Sequence, residues 1–205
     1  MRNTNDFEHR VAKSIEASVV TKQRLLASID MINTVAAIGR ILVDAFGQGR
    51  KAILFGNGGS AADAQHIAAE FVGRFAFDRP ALPALALSVN TSCVTAIGND
   101  YGFDQVFARQ IEALAFPGDV AIGISTSGNS PNVLCGISAA RKIGLRTIAL
   151  TGDSGGKLRE SAEYCVCVPS DQTPRIQECH ILIGHIIAEL VEQTIFHDQS
   201  CVSRS

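Results

Sequence analysis

No block of lysine or arginine and no basic stripe runs through this chain, whose formal net charge is −2. That removes the footprint of a nucleic-acid binder, which needs clustered positive charge to meet phosphates. No apolar run reaches bilayer-spanning length, so no membrane segment is expected. The opening residues, Met1-Arg2-Asn3-Thr4-Asn5-Asp6, lack the apolar stretch of a secretory signal, and a cytoplasmic location is expected. In that reducing setting the six cysteines (93, 135, 165, 167, 179 and 201) read as free thiols rather than a disulfide framework. Cys165 and Cys167 share one face of a short strand, where core packing accounts for them without a metal. Also missing is a dinucleotide glycine fingerprint with its following acidic residue, so no nucleotide cofactor is expected.

What is present is a chain of 205 residues, 46% hydrophobic, enough to bury one core. From Asn5 to Gln48 the pattern is helical, with Val11, Ile15 and Val19, then Ile29, Ile32, Val35, Ile38, Ile41 and Leu42 at helical spacing. Two helices are expected, divided between Leu26 and Asp30, the second capped by the glycines at 47 and 49. Short apolar strands follow at Ala52–Phe55, Ala84–Leu87, Val120–Ile124, Leu145–Leu150 and Tyr164–Val168, with helical segments between them. These include one from Asn90 towards Ile97, one from Phe103 to Leu114 and a long one from Pro174 to Phe196. Strands apolar on both faces and separated by helices predict an α/β fold: a five-stranded parallel sheet between two helical layers. The expected organisation is helices over 1–48, an α/β domain over 49–197 and a tail over 198–205.

Two turns at strand ends carry the chemistry. The first, Gly56-Asn57-Gly58-Gly59-Ser60, joins a buried strand to an alanine-rich helix, with Ser60 where an N-cap belongs. A strand, a glycine turn and a helix N-terminus together make an anion site. Four residues apart on that helix, His66 and Glu70 share a face. The second turn, Ser125-Thr126-Ser127-Gly128-Asn129-Ser130, ends in a serine N-cap with Pro131 in the first helical position. Turn formation alone explains some of these serines. Their density at the carboxyl end of a parallel strand, where such folds bind ligands, favours an anion.

Together with Ala96-Ile97-Gly98-Asn99-Asp100-Tyr101-Gly102 and Thr173-Pro174-Arg175-Ile176-Gln177-Glu178, these turns resemble the sugar isomerase (SIS) domain family from about Gly49 to Phe196. The resemblance implies a flavodoxin-like parallel sheet with an N-terminal helical arm. It also implies a homotetramer that interconverts sedoheptulose 7-phosphate and D-glycero-D-manno-heptose 7-phosphate, at the start of bacterial nucleotide-activated heptose synthesis. By motif, the catalytic groups fall on Glu70 and His185. Substrate contacts fall on Asn57, Gly58, Ser60, Asn99, Asp100, Ser125, Thr126, Ser127, Ser130 and Gln177. Members that bind zinc do so through positions matching His66, Glu70, Gln177 and His185. Pro174 stands where some members have aspartate, which alters the sugar-hydroxyl contacts there.

The chemistry fits these residue types. Moving a proton between adjacent carbons through an enediol needs a base such as Glu70 and an acid that titrates near neutrality, such as His185. An isolated helical glutamate is usually solvated, and a lone histidine in an apolar helix is usually a core group; His66 and Gln177 are the company that argues otherwise. Gln177 and His185 stand roughly 12 Å apart along a helix, so both reach one ion only by converging from opposite ends. His9, His180 and His197 read as structural or surface residues. Two alternatives share the fold: a non-catalytic SIS regulator that binds the replication initiator, and an isomerase of another sugar phosphate. The regulator lacks equivalents of Glu70 and His185.

Overall fold

A computed structural model describes residues 5–196. Two N-terminal helices come first, α1 (Asn5–Ala27) and α2 (Ile29–Gly47), bent by 79° at Ser28. Ser28 makes the break by capping α2, its hydroxyl accepting from Met31 N–H at 3.4 Å. The remaining elements are β1 (Ala52–Gly56), α3 (Gly59–Val72), β2 (Ala84–Ala86), α4 (Thr91–Tyr101) and α5 (Ala108–Leu114). After them come β3 (Val120–Ile124), α6 (Pro131–Ile143), β4 (Arg146–Thr151), α7 (Leu158–Ser161), β5 (Tyr164–Cys167) and α8 (Thr173–Phe196). The tail expected over 198–205, like His197 and Cys201, lies outside the described residues.

All five strands are parallel, in the order β2-β1-β3-β4-β5. Alternate strand residues feed two apolar layers. Leu54, Ile122, Ile148 and Val166 pack under α2, α3 and α8, whereas Ile53, Phe55, Ala121 and Ala149 pack under α5 and α6. This is the expected three-layer sandwich. The strand order reverses direction between β1 and β3, so a crevice opens beyond their carboxyl ends. Gly56 pairs with Ile124 there, which sets the two turns side by side.

Several expectations are corrected. Ser60 is not the N-cap of α3: Gly58 is, at φ 55°, a conformation that costs glycine little. The chain therefore turns two residues sooner and buries Ser60 inside the first helical turn. The helix expected over Phe103–Leu114 is a 3₁₀ turn at Phe103–Gln105 followed by the short α5, with Phe103 and Leu114 exposed. The preceding helix runs past Ile97 through Gly98 to Tyr101 and closes at Gly102, the last residue of the expected closing stretch. Of the N-terminal pair, α2 belongs to the core layer, whereas α1 lies against α8, where Arg175 donates to Ser14 O and Lys22 sits 3.8 Å from Glu178. Helix α8 is long and apolar enough to cross a membrane, but its apolar face is packed in the core.

Candidate active site

Helices α3 and α8 build the centre of the site by lying parallel in close contact. A Cβ added to Gly59 would sit 2.3 Å from Gln177 Nε2, and one added to Gly184 would sit 2.5 Å from Ile67 Cδ1. Gly184 thus lets the two backbones approach, and its neighbour His185 meets His66. The rings lie 5.1 Å apart between centroids, with Nε2 to Nε2 at 2.9 Å. His66 Nε2 is also 3.1 Å from Glu70 Oε1, one helical turn along α3. His66, Glu70 and His185 therefore offer three ligand atoms within 4.8 Å of one another. Phe75 covers one side of His185, ring centroids 5.7 Å apart.

The turns beyond β1 and β3 form the second part. Ser125 Oγ lies 2.9 Å from Ser130 Oγ and 3.4 Å from Ser127 Oγ, so three hydroxyls gather at the N-terminus of α6. Ser130 occupies the N-cap position, as expected, but its hydroxyl turns to Ser125 instead of closing a cap bond. Thr126 and Ser127 line a neighbouring cavity of about 380 Å³ with Asp153, Ser170 and Asp171. Across the crevice, Asn57 and Asn132 exchange two amide hydrogen bonds of 2.8 Å each. That bridge ties the β1 turn to α6. The N-termini of α3 and α6 both open towards this crevice, and their free N–H groups and dipoles favour an anion.

Two groups of expected residues stand apart from these clusters. Gln177 lies over Gly59, at the start of α3, whereas His66 is two turns further along. One chain thus places Gln177 beside the glycine turn and not among the His66, Glu70 and His185 ligand atoms. Asn99 and Asp100 are exposed on α4, where Asn99 donates to Asp100 at 2.8 Å.

Sequence reading missed the support beneath Glu70. Arg79 and Glu192, both buried, meet at 2.9 Å. Arg79 also donates to Glu70 O and Phe71 O, each at 2.7 Å, and so fixes the last turn of α3. Burial alone would raise the Glu192 carboxyl; bonds from Phe75 N–H, Ala76 N–H, Arg79 and Phe77 N–H overcome it and hold the group below the usual carboxylate range. Asp63, three residues before His66, has its carboxyl raised by burial and lowered in part by His66. His180 proves structural: it is buried, bonds Thr151 O at 3.1 Å, and burial pushes its pKa down to about 4.

A parallel sheet with two hydroxyl- and glycine-rich turns at its switch point defines a SIS domain, and the SIS domain family model matches residues 18–152. Among curated proteins, the phosphoheptose isomerase of Sulfurimonas denitrificans is 52% identical over 188 residues, covering 92% of this chain and 96% of its own. That of Aquifex aeolicus is 58% identical over 158 residues, 77% of this chain and 83% of its own. The solved phosphoheptose isomerase of Neisseria gonorrhoeae superposes with a TM-score of 0.86 at 40% identity, covering 91% of this chain and 99% of that one. The chain belongs to the phosphoheptose isomerase family of SIS-domain proteins.

Proposed function

We propose that this protein interconverts sedoheptulose 7-phosphate and D-glycero-D-manno-heptose 7-phosphate, with Glu70 as the carbon base and His185 as the acid that serves the oxygens. The convergence of Glu70 and His185 in one chain of this family carries the reading. In the ketose-to-aldose direction, Glu70 takes a proton from C1 as His185 protonates the carbonyl oxygen on C2. The enediol that results loses its O1 proton to the imidazole, and Glu70 returns the carbon proton to C2. The hydroxyls of Ser125, Thr126, Ser127 and Ser130, with Asn57, Gly58 and Ser60, hold the phosphate between the two helix N-termini. Gln177, over the β1 turn, is placed to contact the same substrate.

The ligand atoms of His66, Glu70 and His185 fit a zinc ion. Two imidazole nitrogens and a carboxylate oxygen converge, and a single proton on His66 Nε2 cannot serve both of its close neighbours. Bound there, the ion would act as a Lewis acid on a substrate oxygen. With the ion held by Oε1 of Glu70 and Nε2 of His185, Oε2 and Nδ1 would be the atoms left to carry protons. Turnover of sedoheptulose 7-phosphate, followed as aldose appears, tests the reading with zinc added and with zinc chelated. Aldose formation that falls on chelation and returns with zinc is the expected result. A folded protein that makes no aldose in either condition overturns the function, and chelator-resistant turnover overturns the metal role.

We also read the exposed face of α1 as a contact between subunits of a homotetramer. Phe7, Val11, Ile15 and Val19 recur every four residues there, and each is 48–61% exposed. His66 is likewise half exposed, so the site is open on a single chain. Val11→Asp with Ile15→Asp is expected to reduce the molar mass measured by light scattering. An unchanged mass would exclude this face from the assembly.

A further inference from the structure

Strand β5 carries two nucleophiles that the proposed reaction does not use. Cys165 and Cys167 lie on the same side of the strand with their sulfurs 3.6 Å apart. Two residues of parallel strand advance about 6.6 Å, near the upper limit of the Cα separations that disulfides bridge. Strand β5 is four residues long and forms the sheet edge, paired with β4 among the described residues, so the backbone shift that brings the two Cβ atoms to disulfide distance there disturbs one partner strand.

The two thiols are not equivalent. Cys165 packs against the apolar layer shared with α5 and α6. Cys167 receives a hydrogen bond from Thr151 Oγ1 at 3.5 Å and lies beside Gly155. The hydrogen bond from Cys165 lowers the Cys167 thiol to about 6, against burial and Asp153 and with help from Thr151 and Arg159. The same bond, together with burial, pushes Cys165 up. Cys167 is thus the more acidic sulfur of the pair and Cys165 the one that keeps its proton longer.

We propose that Cys167 and Cys165 form a peroxide-reactive dithiol site, in which Cys167 is the attacking sulfur and Cys165 the resolving one. The Cys167 thiolate attacks one oxygen of hydrogen peroxide; the O–O bond breaks, hydroxide leaves and Cys167 becomes a sulfenic acid. The Cys165 sulfur then attacks the Cys167 sulfur. The S–O bond breaks as S–S forms, and the departing hydroxyl takes the Cys165 proton and leaves as water. Two sulfurs lose two electrons in total, and one peroxide gains them.

The site is mechanically joined to the hydroxyl turn. A Cβ on Gly155 would lie 3.0 Å from Cys167 Sγ, and one on Gly128 would lie 2.0 Å from Gly155 O, so sulfur, Gly155 and Gly128 are in successive contact. Leu158 N–H also bonds Gly128 O at 3.0 Å, and Lys157 N–H bonds Asn129 Oδ1 at 3.1 Å. Drawing the sulfurs together alters the support of the turn that holds phosphate. This second part rests on the reading of that turn given above.

The test is thiol mapping by mass spectrometry of the whole protein during hydrogen peroxide treatment, with dimedone to trap sulfenic acid. A 165–167 disulfide is expected to form ahead of oxidation at Cys93 or Cys135, with a rate that rises with pH and levels off at lower pH than for an ordinary thiol. Cys165→Ser should accumulate the dimedone adduct at Cys167, and Cys167→Ser should leave Cys165 unreacted. Oxidation of Cys93 or Cys135 as fast as Cys167, or no 165–167 disulfide, overturns the site whether or not the protein is an isomerase. In the oxidised protein KM for sedoheptulose 7-phosphate should rise several-fold and recover with dithiothreitol while kcat holds. An unchanged KM in fully oxidised protein overturns the link to the turn.

Discussion

Glu70→Gln is expected to lower kcat for sedoheptulose 7-phosphate by about 10²- to 10⁴-fold, the usual worth of a positioned general base. Glutamine keeps the size of the side chain and an oxygen that can face His66, but it cannot accept the carbon-bound proton. Loss of a zinc ligand would reduce the rate by a different route, so bound zinc is measured in the same samples and zinc is supplied in excess. Exchange of the substrate's carbon-bound hydrogen with deuterated solvent separates the two further. Proton abstraction precedes product formation, and in the variant exchange should disappear together with turnover. A variant that retains turnover within a few-fold of the parent removes Glu70 as the base. One that loses turnover but still exchanges assigns Glu70 to the oxygen side of the reaction.

The largest effect on stability is expected from Glu192→Ala. It removes the partner of Arg79 and the acceptor for three backbone N–H groups at Phe75, Ala76 and Phe77. Breaking one side of a buried ion pair costs about 3–5 kcal/mol, because the remaining charge is left without compensation. Urea denaturation at a fixed protein concentration reads this loss. A double change, Arg79→Met with Glu192→Leu, should recover much of the loss, since apolar replacement of a buried pair is often neutral. A cost below about 1 kcal/mol would place this pair with exposed ones. Activity should fall further than stability explains, because Arg79 holds the carbonyl of Glu70.

The layered fold was legible because each strand is short and apolar on both faces, a pattern that only a doubly covered parallel sheet satisfies. The division of the first two helices was legible only to within Leu26–Asp30; the capping hydroxyl of Ser28 is what fixes it there. Local reading went wrong where a glycine overrode it: Ser60 has capping chemistry, but Gly58 adopts the turn first. Helix α5 came out short because the periodicity of Phe103, Val106 and Phe107 is met by a 3₁₀ turn instead.

Within the site, His66 and Glu70 could be paired from spacing alone, because four residues is one helical turn. The meeting of His185 with His66 spans 119 residues and depends on Gly184 letting α8 against α3, for which the sequence offers no period. Arg79 and Glu192, separated by 113 residues, and Asn57 and Asn132, separated by 75, were invisible for the same reason. Gln177 shows the limit from the other side. Sharing a helix with His185 did not bring it to the same place, because α8 runs alongside α3 and each residue meets a different turn of it.

The reciprocal amides of Asn57 and Asn132 act as a crossbar between the β1 turn and the first turn of α6, which follows the β3 turn. Neither turn can open without breaking both bonds or carrying the other with it. An arriving phosphate, on the reading proposed above, would find a cradle already assembled and lose little free energy to ordering loops. Such a cradle tolerates variation in the rest of the ligand, since its shape does not depend on what the phosphate is attached to. Discrimination among sugars would then fall to the proposed carboxylate and imidazole end, where the reacting carbons must fit.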